Sequence, residues 1–257
     1  MKPLVITALY DIGRSEWKDF AQSYHTYLYW MENTLKLKSQ MVIFTEAKFE
    51  GAIRKMRANI DPTGEMTTYV INTLEDLEVH QKWYVEIDKL MSSEAFLNKR
   101  FWDHVPEMNH PLYNIVTNNK AFFLHEASKL HKDATHLIWV DAGGIRGDMN
   151  YSESWPDISK LSNNTVMHFS HNVPFEIHDL EYHTLSQQRH IQGGALICPS
   201  TMIDWYVREI HKTIGNCLDG GYIGSDEKIF DLTYIRDTSK FTLIKQGWRE
   251  YYNWLQI

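Results

Sequence analysis

The chain contains 257 residues, which is enough for one large domain or two small domains with a substantial core. Its formal net charge is −7 and lysine and arginine form no run, which argues against nucleic acid as a partner because phosphate backbones require basic patches. No apolar stretch reaches the length needed to span a bilayer, so we expect at most peripheral contact with a membrane.

Strands and helices alternate in the first half of the chain. Short apolar runs are typical of buried strands, and they predict strands over 4–9, 41–44 and 67–71. Apolar residues spaced by three and four predict the intervening helices. These helices are expected over 17–31 with Ser15 as the N-cap, around 52–57, and within 74–91.

In the second half, a helix over 112–130 is expected to lead into a strand over 137–140. Further strands are predicted at 165–170, 192–198 and 241–244, and further helices at 201–214 and 225–234. This order predicts an α/β fold with a mixed, mostly parallel sheet flanked by helices, in a single domain over 1–257.

The segment 171–191 is long and polar, which is typical of a functional lid or of disorder. It contains His171, His178, His183 and His190, whose spacing matches no zinc motif, so we expect solvated histidines rather than metal ligands. Cys198 and Cys217 are too few for a disulfide framework and also lack metal-type spacing. A reducing cytoplasm is the expected location.

Asp141 follows the apolar run 137–140 directly, and Gly143 and Gly144 come next. In open α/β sheets the ligand crevice lies beyond the carboxyl ends of the strands, so Asp141 is expected to point into a site. The two glycines would let backbone approach a bound group closely. The alternative is an ordinary turn stabilised by the aspartate side chain.

Two further segments carry candidate cationic groups. Arg14 follows Gly13 at the end of the first strand, a combination that suits a small anion site, with a solvated turn as the alternative. No dinucleotide-binding or Walker A sequence is present. Asn118 and Lys120 lie on the helix before the Asp141 strand and are expected to face a cleft, although an exposed lysine is often merely solvated.

Two glycine-containing segments complete the set. Gly193 and Gly194 begin an apolar strand, where they suggest close approach by a ligand or another backbone, or else a bulge. Asp226 and Glu227 begin a helix after Ser225, a plausible N-cap. The two carboxylates would suit a general base and a ligand to an acceptor hydroxyl. The alternative is that they only stabilise the helix, because acidic side chains at a helix N-terminus interact favourably with the helix dipole.

The order of these features resembles a GT-A type glycosyltransferase that uses a nucleotide-sugar donor. More narrowly, residues 138–143, 192–194 and 226–228 are similar to the HtrL/YibB family of bacterial envelope-polysaccharide proteins, over nearly the whole chain. The resemblance implies transfer of a sugar from a nucleotide donor, UDP in particular, to a hydroxyl of lipopolysaccharide, O-antigen or another surface glycan. It also implies work in the cytoplasm or at the inner face of the cytoplasmic membrane, on a glycan or lipid-linked glycan acceptor.

The resemblance assigns donor binding to residues 1–141 and acceptor binding to 142–257. The implied donor-binding residues are Asp141, Arg14, Asn118, Lys120 and Gly143. The implied catalytic residues are Asp226 and Glu227, and the implied acceptor-binding residues are Gly193, Gly194 and Trp248.

GT-A enzymes usually carry an Asp-x-Asp motif that ligates a divalent metal, and this chain has Asp141-Ala142-Gly143 instead. Asp148 could join Asp141 as a ligand to Mn²⁺ or Mg²⁺, or Arg14 and Lys120 could neutralise the donor diphosphate. The C-terminal histidine that ligates the metal in some related families has no match. The resemblance therefore implies weaker metal dependence than an Asp-x-Asp enzyme shows.

Two alternatives to a transferase remain. One is a catalytically inactive module of the same fold that binds a nucleotide or glycan. The other is a sugar nucleotidyltransferase, which would need a glycine-rich, basic loop after the first strand, and residues 11–14 are too few and too sparsely basic for that role.

Overall fold

The computed structural model describes residues 1–101, 104–146, 155–171, 173–247 and 250–256. A seven-stranded sheet forms the centre of the fold. The strands are β1 (Pro3–Leu9), β2 (Met41–Thr45), β3 (Thr67–Ile71), β4 (His136–Val140), β5 (Val166–Ser170), β6 (Ile191–Pro199) and β7 (Phe241–Lys245). The helices of the first half are α1 (Tyr24–Leu35), α2 (Ala47–Arg57), α3 (Glu78–Met91), α4 (Glu94–Lys99), α5 (Pro106–Asn109), α6 (Pro111–Asn118) and α7 (Lys120–Leu130). Those of the second half are α8 (Leu180–Leu185), α9 (Ile203–Asp219), α10 (Asp226–Arg236) and α11 (Tyr251–Trp254).

The strand order is β3-β2-β1-β4-β6-β5-β7, and every adjacent pair is parallel except the two pairs that involve β6. This confirms the predicted α/β fold with a mixed, mostly parallel sheet in a single domain. Because β6 runs against its neighbours, its first residues lie at the same edge as the carboxyl ends of β1 and β4. The Asp141 backbone N–H accordingly donates to the Gly194 carbonyl at 2.9 Å.

Both faces of the sheet are buried, which explains why the predicted strands read as continuous apolar runs. Along β1, Leu4 and Ile6 enter one core with α3, α7, α9 and α10, while Val5 enters a second core with α1, α2 and α11. Successive strand side chains point to opposite faces, so one short run contributes to both cores. The sheet is thus a rigid support for the loops at its carboxyl edge.

The first helix begins later than the sequence predicts. Ser23 is the N-cap of α1 and accepts a hydrogen bond from the Thr26 backbone N–H, whereas Ser15 lies in a short 3-10 turn. Trp17 is not on a helix, and its ring stacks on His110 at 3.7 Å between centroids. The apolar spacing from residue 17 onward therefore reflects packing of a loop as well as one face of a helix.

The predicted helix over 112–130 is two helices that meet at Asn119. The Asn119 side-chain oxygen accepts a hydrogen bond from the Val79 backbone N–H at 3.2 Å, which holds the junction. The break makes Lys120 the first residue of α7. Among the described residues, no helix has the length and apolar character required to cross a membrane.

The expectation of solvated histidines in 171–191 is wrong for two of the four. This segment contains α8, and His183 and His190 are each 1% exposed. Both rings lie against Asp231 of α10, 40 residues or more further along the chain, so the spacing within the segment could not reveal their burial. His178 is exposed as expected.

Candidate active site

A cleft of about 690 Å³ opens at the carboxyl edge of β1 and β4. This volume is within the roughly 300–1,000 Å³ typical of small-molecule sites. The loops after β1 and β4 form its walls together with α1, the first turns of α7 and α10, and the start of β6. Its aromatic lining comprises Tyr10, Phe20, Tyr24, Tyr27, Trp30, Tyr113, Trp139 and Tyr251.

Lys120 lies between two carboxylates at the base of this cleft. Its Nζ is 2.8 Å from Asp141 Oδ1 and 2.6 Å from Asp226 Oδ2, and it donates to the Gly193 carbonyl at 2.8 Å. Lys120 and Asp226 are buried, whereas the Asp141 side chain is 40% exposed toward the cleft. The structure therefore brings together four residues that the sequence singles out in four separate segments.

The surroundings hold the Lys120 ammonium in its charged form. Burial lowers the pKa of Lys120, but the adjacent Asp141 and Asp226 carboxylates outweigh that effect and raise it. The Trp139 ring lies 5.6 Å from the ammonium, and Trp139 Nε1 donates to Asp141 Oδ1 at 2.7 Å. Burial raises the pKa of Asp226. Lys120 therefore provides the charge that keeps a buried carboxylate in place.

Gly193 leaves room for the Asp226 carboxylate. A Cβ at this position would overlap Asp226 Oδ2, and no side chain could be added without displacing the carboxylate. At Gly194, a Cβ would lie 3.1 Å from the Tyr251 ring. Both glycines line the cleft, so they remain available for the predicted acceptor-binding role.

Glu227 is the second carboxylate in the first turn of α10, and its pKa lies near neutral pH. Its Oε2 lies 3.1 Å from Arg189 Nε, and its Oε1 accepts from the Gly193 backbone N–H at 3.3 Å. Burial and the nearby Asp226 charge raise the pKa of Glu227 to about 7, although Arg189 opposes the shift. A carboxylate with a pKa near the working pH suits general base catalysis.

Arg189 joins Glu227 to Glu107, since Arg189 Nη2 donates to Glu107 Oε1. Sequence reasoning missed Arg189 because its two partners lie 38 and 82 residues away along the chain. It also missed Tyr251 of α11, whose hydroxyl approaches Gly144 so closely that a Cβ there would overlap it. No local motif marks either residue.

Asn118 does not face the cleft, which corrects the sequence expectation. It is 2% exposed, and its Nδ2 donates to the Gly224 carbonyl at 2.9 Å. Asn118 therefore supports the glycine-containing segment before α10 from behind. Trp248 and Asp148, predicted for acceptor and metal binding, lie outside the described residues.

Two arginines line the cleft wall near α1. Arg14 lies 5.2 Å from the Trp17 ring and 5.5 Å from the Tyr27 ring, and it donates to the Tyr27 hydroxyl. Arg146, in the loop after β4, lies 3.5 Å from the Trp30 ring. Gly143 also contacts Trp30, because a Cβ there would lie 3.2 Å from the ring.

The described cleft residues do not fit a divalent metal. Asp141 Oδ1 already accepts from Trp139 and pairs with Lys120, and Asp226 pairs with the same ammonium. Gly143 stands where a second motif carboxylate would supply a hard oxygen ligand. A divalent ion between the two carboxylates would have to displace Lys120.

A different group of side chains, away from the cleft lining, could hold a metal ion. The ligand atoms of His183, His190 and Asp231 lie within 4.8 Å of one another, and all three residues are buried. Asp231 Oδ1 also accepts from the Ile191 backbone N–H at 2.9 Å, and Oδ2 accepts from the His190 backbone N–H at 3.1 Å. Burial opposes ionisation, but the hydrogen bonds from both histidines lower the pKa of Asp231. This group fastens the approach to β6 onto α10.

The sequence profile of a family described as "bacterial protein of unknown function (HtrL_YibB)" matches residues 2–256. The chain belongs to the HtrL/YibB family. None of the curated proteins compared with it matches.

Solved structures with a similar arrangement include the galactosyltransferase LgtC in complex with donor and acceptor sugar analogues. That similarity covers 93% of this chain and 72% of LgtC, at 10% identity and a TM-score of 0.46. Another is a proposed glucose-1-phosphate thymidylyltransferase from Bacillus anthracis in complex with sucrose. It is matched over 96% of this chain and 87% of that protein, at 10% identity and a TM-score of 0.39.

Proposed function

We propose that this HtrL/YibB protein is a glycosyltransferase that moves a sugar from a nucleotide-sugar donor, UDP-linked in particular, to a hydroxyl of a surface glycan such as lipopolysaccharide or O-antigen. One observation carries the proposal. A glutamate with a pKa of about 7 lies beside a buried lysine–aspartate cluster in an aromatic cleft large enough for a nucleotide sugar.

Each part of the cleft has a role in this proposal. Asp141 is partly exposed, so its carboxylate can accept hydrogen bonds from donor hydroxyl groups. Aromatic rings on the walls offer faces for a nucleobase and for the apolar side of a sugar. Gly193 and Gly194 provide a side-chain-free surface for the acceptor.

In an inverting transfer, Glu227 takes the proton of the acceptor hydroxyl while the hydroxyl oxygen forms a bond to the anomeric carbon of the donor sugar. The bond from that carbon to the phosphate oxygen breaks at the same time, and the nucleoside diphosphate leaves with the electron pair. Cationic side chains stabilise the charge that develops on the leaving group. Lys120 and Asp226 act as positioning residues, because they fix the backbone of Gly193 against Glu227.

The loop after β1 disfavours a nucleotidyltransferase. Asp11 lies in this loop, Glu46 lies beside it directly after β2, and Lys48 pairs with both, at 2.7 Å and 3.4 Å. The Asp11 backbone N–H also donates to Glu46. A triphosphate would meet two carboxylates at the position where a nucleotidyltransferase needs a basic, glycine-rich loop.

A thermal-shift panel of UDP-, GDP-, CMP- and dTDP-sugars tests the proposal, because a ligand that binds only the folded state raises its melting temperature. We expect UDP-sugars to stabilise the wild-type protein and to stabilise Asp141→Asn much less. Asp219→Asn, at the exposed end of α9, is the matched control and should respond like the wild type. Equal stabilisation of all three proteins would refute donor binding at Asp141.

A further inference from the structure

Two histidines and one aspartate converge in the interior of the protein, and none of the three lines the cleft. Asp231 lies on α10 and is completely buried, His183 lies on α8, and His190 comes directly before β6. Their ligand atoms lie within 4.8 Å of one another. The cluster therefore joins three separate segments of the chain.

Three nitrogen atoms crowd around one oxygen of the Asp231 carboxylate. Oδ2 lies 3.0 Å from His183 Nε2, 3.0 Å from His190 Nδ1 and 3.1 Å from the His190 backbone nitrogen. A carboxylate oxygen has about two acceptor sites, so it cannot accommodate three donors equally well. Two imidazole nitrogens that face the same carboxylate oxygen are well placed to share a metal ion with it.

The buried Asp231 carboxylate also needs a counter-charge. Its ion-pair partners among the described residues are the two histidines, and no lysine or arginine lies at ion-pairing distance. Lys228, one turn earlier on α10, donates to the backbone carbonyls of His183 and Gln188 instead. A buried charge without a full counter-charge is costly, and a divalent ion would supply that charge.

The ring nitrogens on the far side of both histidines are also unusual. His183 Nδ1 and His190 Nε2 have no hydrogen-bond partner within the described part of the chain, although both residues are 1% exposed. Most buried polar side-chain atoms in proteins are paired, so unpaired ones call for an explanation. Coordination through the nitrogens that face Asp231 would offset the cost of burying these two rings.

We propose that His183, His190 and Asp231 bind a divalent transition-metal ion, with Zn²⁺ as the probe. Imidazole nitrogens and carboxylate oxygens are common zinc ligands, whereas Mg²⁺ and Ca²⁺ prefer oxygen ligands throughout. Three protein ligands leave one position of a four-coordinate ion for a water molecule. The ion fastens α8 and the approach to β6 onto α10. It takes no part in sugar transfer, so the inference goes beyond the proposed function.

Zinc binding by the wild-type protein tests the proposal directly. After prolonged dialysis against a chelator, calorimetric titration should show about one Zn²⁺ bound per chain. A hundredfold excess of Zn²⁺ over its dissociation constant should raise the melting temperature by about 5–10 °C, and Mg²⁺ should not. Because all three ligands are buried, we expect a short assay in EDTA to leave the ion in place.

Ligand variants show whether this cluster is the zinc site. His183→Ala and His190→Ala should each weaken Zn²⁺ binding about a hundredfold or more, since even the loss of a residue that supports a ligand costs up to about a hundredfold. His178→Ala is the control in the same segment, with a side chain that is 88% exposed. His168→Gln is the control for loss of a buried histidine elsewhere. Both controls should bind Zn²⁺ like the wild type.

Two results would overturn the proposal. One is a wild-type protein that contains no zinc when purified and takes up none after chelation, and this result does not depend on whether the ligand variants fold. The other is equal Zn²⁺ affinity in the wild type and in both ligand variants. Either result would leave the proposed transferase standing, because the cluster lies outside the cleft lining.

Discussion

Lys120 and Glu227 are ionisable side chains that lose most of their contact with water in the same cleft, but they respond in opposite ways. Lys120 faces two carboxylates and is held in its charged form. Glu227 has one arginine and lies near the carboxylates of Asp226 and Glu107, so burial dominates and its pKa rises to about 7. One group is thus a permanent charge and the other can exchange a proton near neutral pH.

The pH dependence of turnover should follow the ionisation of Glu227. Only the carboxylate form can accept a proton, so kcat/KM should rise with pH through about 7. In Glu227→Gln this rise of kcat/KM with pH should disappear, and the rate should fall about a hundredfold or more. Measurement of initial rates over a range of pH checks both effects.

Glu107→Gln is the control for that profile. Its charge helps to raise the pKa of Glu227, and its loss also leaves Arg189 to Glu227 alone. The rise of kcat/KM should therefore persist but move to lower pH. A profile in Glu227→Gln that keeps the wild-type rise would assign the ionisation to another group.

Sequence reasoning identified Asp141, Lys120, Gly193, Asp226 and Glu227, since each has a local cue such as a strand end, a helix start or an unusual glycine. It did not identify their partners. Arg189 contacts Glu227 and Tyr251 contacts Gly144, and both contacts join segments far apart in the chain. It also could not show that Gly193 leaves room for the Asp226 carboxylate, because a glycine does not indicate which neighbour needs the space.

At the scale of elements, α10 fastens the approach to β6 through buried charges. Lys228 Nζ donates to the His183 carbonyl at 2.9 Å and also to the Gln188 carbonyl. Asp231 receives the backbone N–H groups of His190 and Ile191. The hydrogen bonds of Lys228 and Asp231 hold the segment that carries Arg189, so α10 positions this residue as well as the carboxylates of its own first turn.

Asp231→Asn should lower the free energy of unfolding by about 3 kcal/mol, because it weakens several hydrogen bonds to a buried charge. Asp204→Asn is the control, with a side chain that is 77% exposed, and it should change stability by less than about 0.5 kcal/mol. Urea unfolding curves measure both. Equal stability of the two variants would contradict a structural role for the buried group.

Alanine substitution of two glycines tests how much space surrounds each missing Cβ, at an open position in α2 and at a crowded position in β6. Gly51 lies in α2 with nothing near its missing Cβ, so Gly51→Ala should raise the free energy of unfolding by about 0.5–1 kcal/mol. Gly193→Ala must displace the Asp226 carboxylate from Lys120 and should lower the melting temperature. A Gly193→Ala protein as stable as the wild type would mean that the cluster rearranges freely.

The elements that the sequence predicted well are those with a single local cause. The strands β1, β2 and β4 are short apolar runs buried on both faces, and β1 to β4 all lie within one or two residues of the predicted bounds. Three features depend on contacts between distant residues. The segment before α1 packs through Trp17 on His110, and the break at Asn119 is held by Val79. His183 is buried against Asp231. Those partners are distant in sequence, so no local period could indicate them.

At the scale of the whole molecule, one buried histidine should make stability depend on pH. His168 is completely buried against Tyr206 and Phe230, and burial lowers its pKa to about 3. In the unfolded chain a histidine takes up a proton near pH 6.5. Folded stability should therefore decline as the pH falls below about 6.5, by about 1.4 kcal/mol per pH unit from this residue.

His168→Gln removes that titration and can still accept from the Tyr206 hydroxyl. Its free energy of unfolding should fall less steeply between about pH 6.5 and 4 than that of the wild type. His178→Gln, with a side chain that is 88% exposed, should follow the wild type. Identical slopes for all three proteins would contradict a neutral buried His168.

The most direct test of the account is transfer of labelled sugar from UDP-sugars to bacterial lipopolysaccharide, measured in EDTA with wild-type protein and with Asp141→Asn. The account predicts incorporation by the wild type without added metal, and a loss of about a hundredfold or more in the variant, the scale of losing one preorganised electrostatic contact. Equal incorporation by both proteins would contradict the placement of the donor at Asp141. UDP binding with no incorporation from any UDP-sugar would identify an inactive binding module instead.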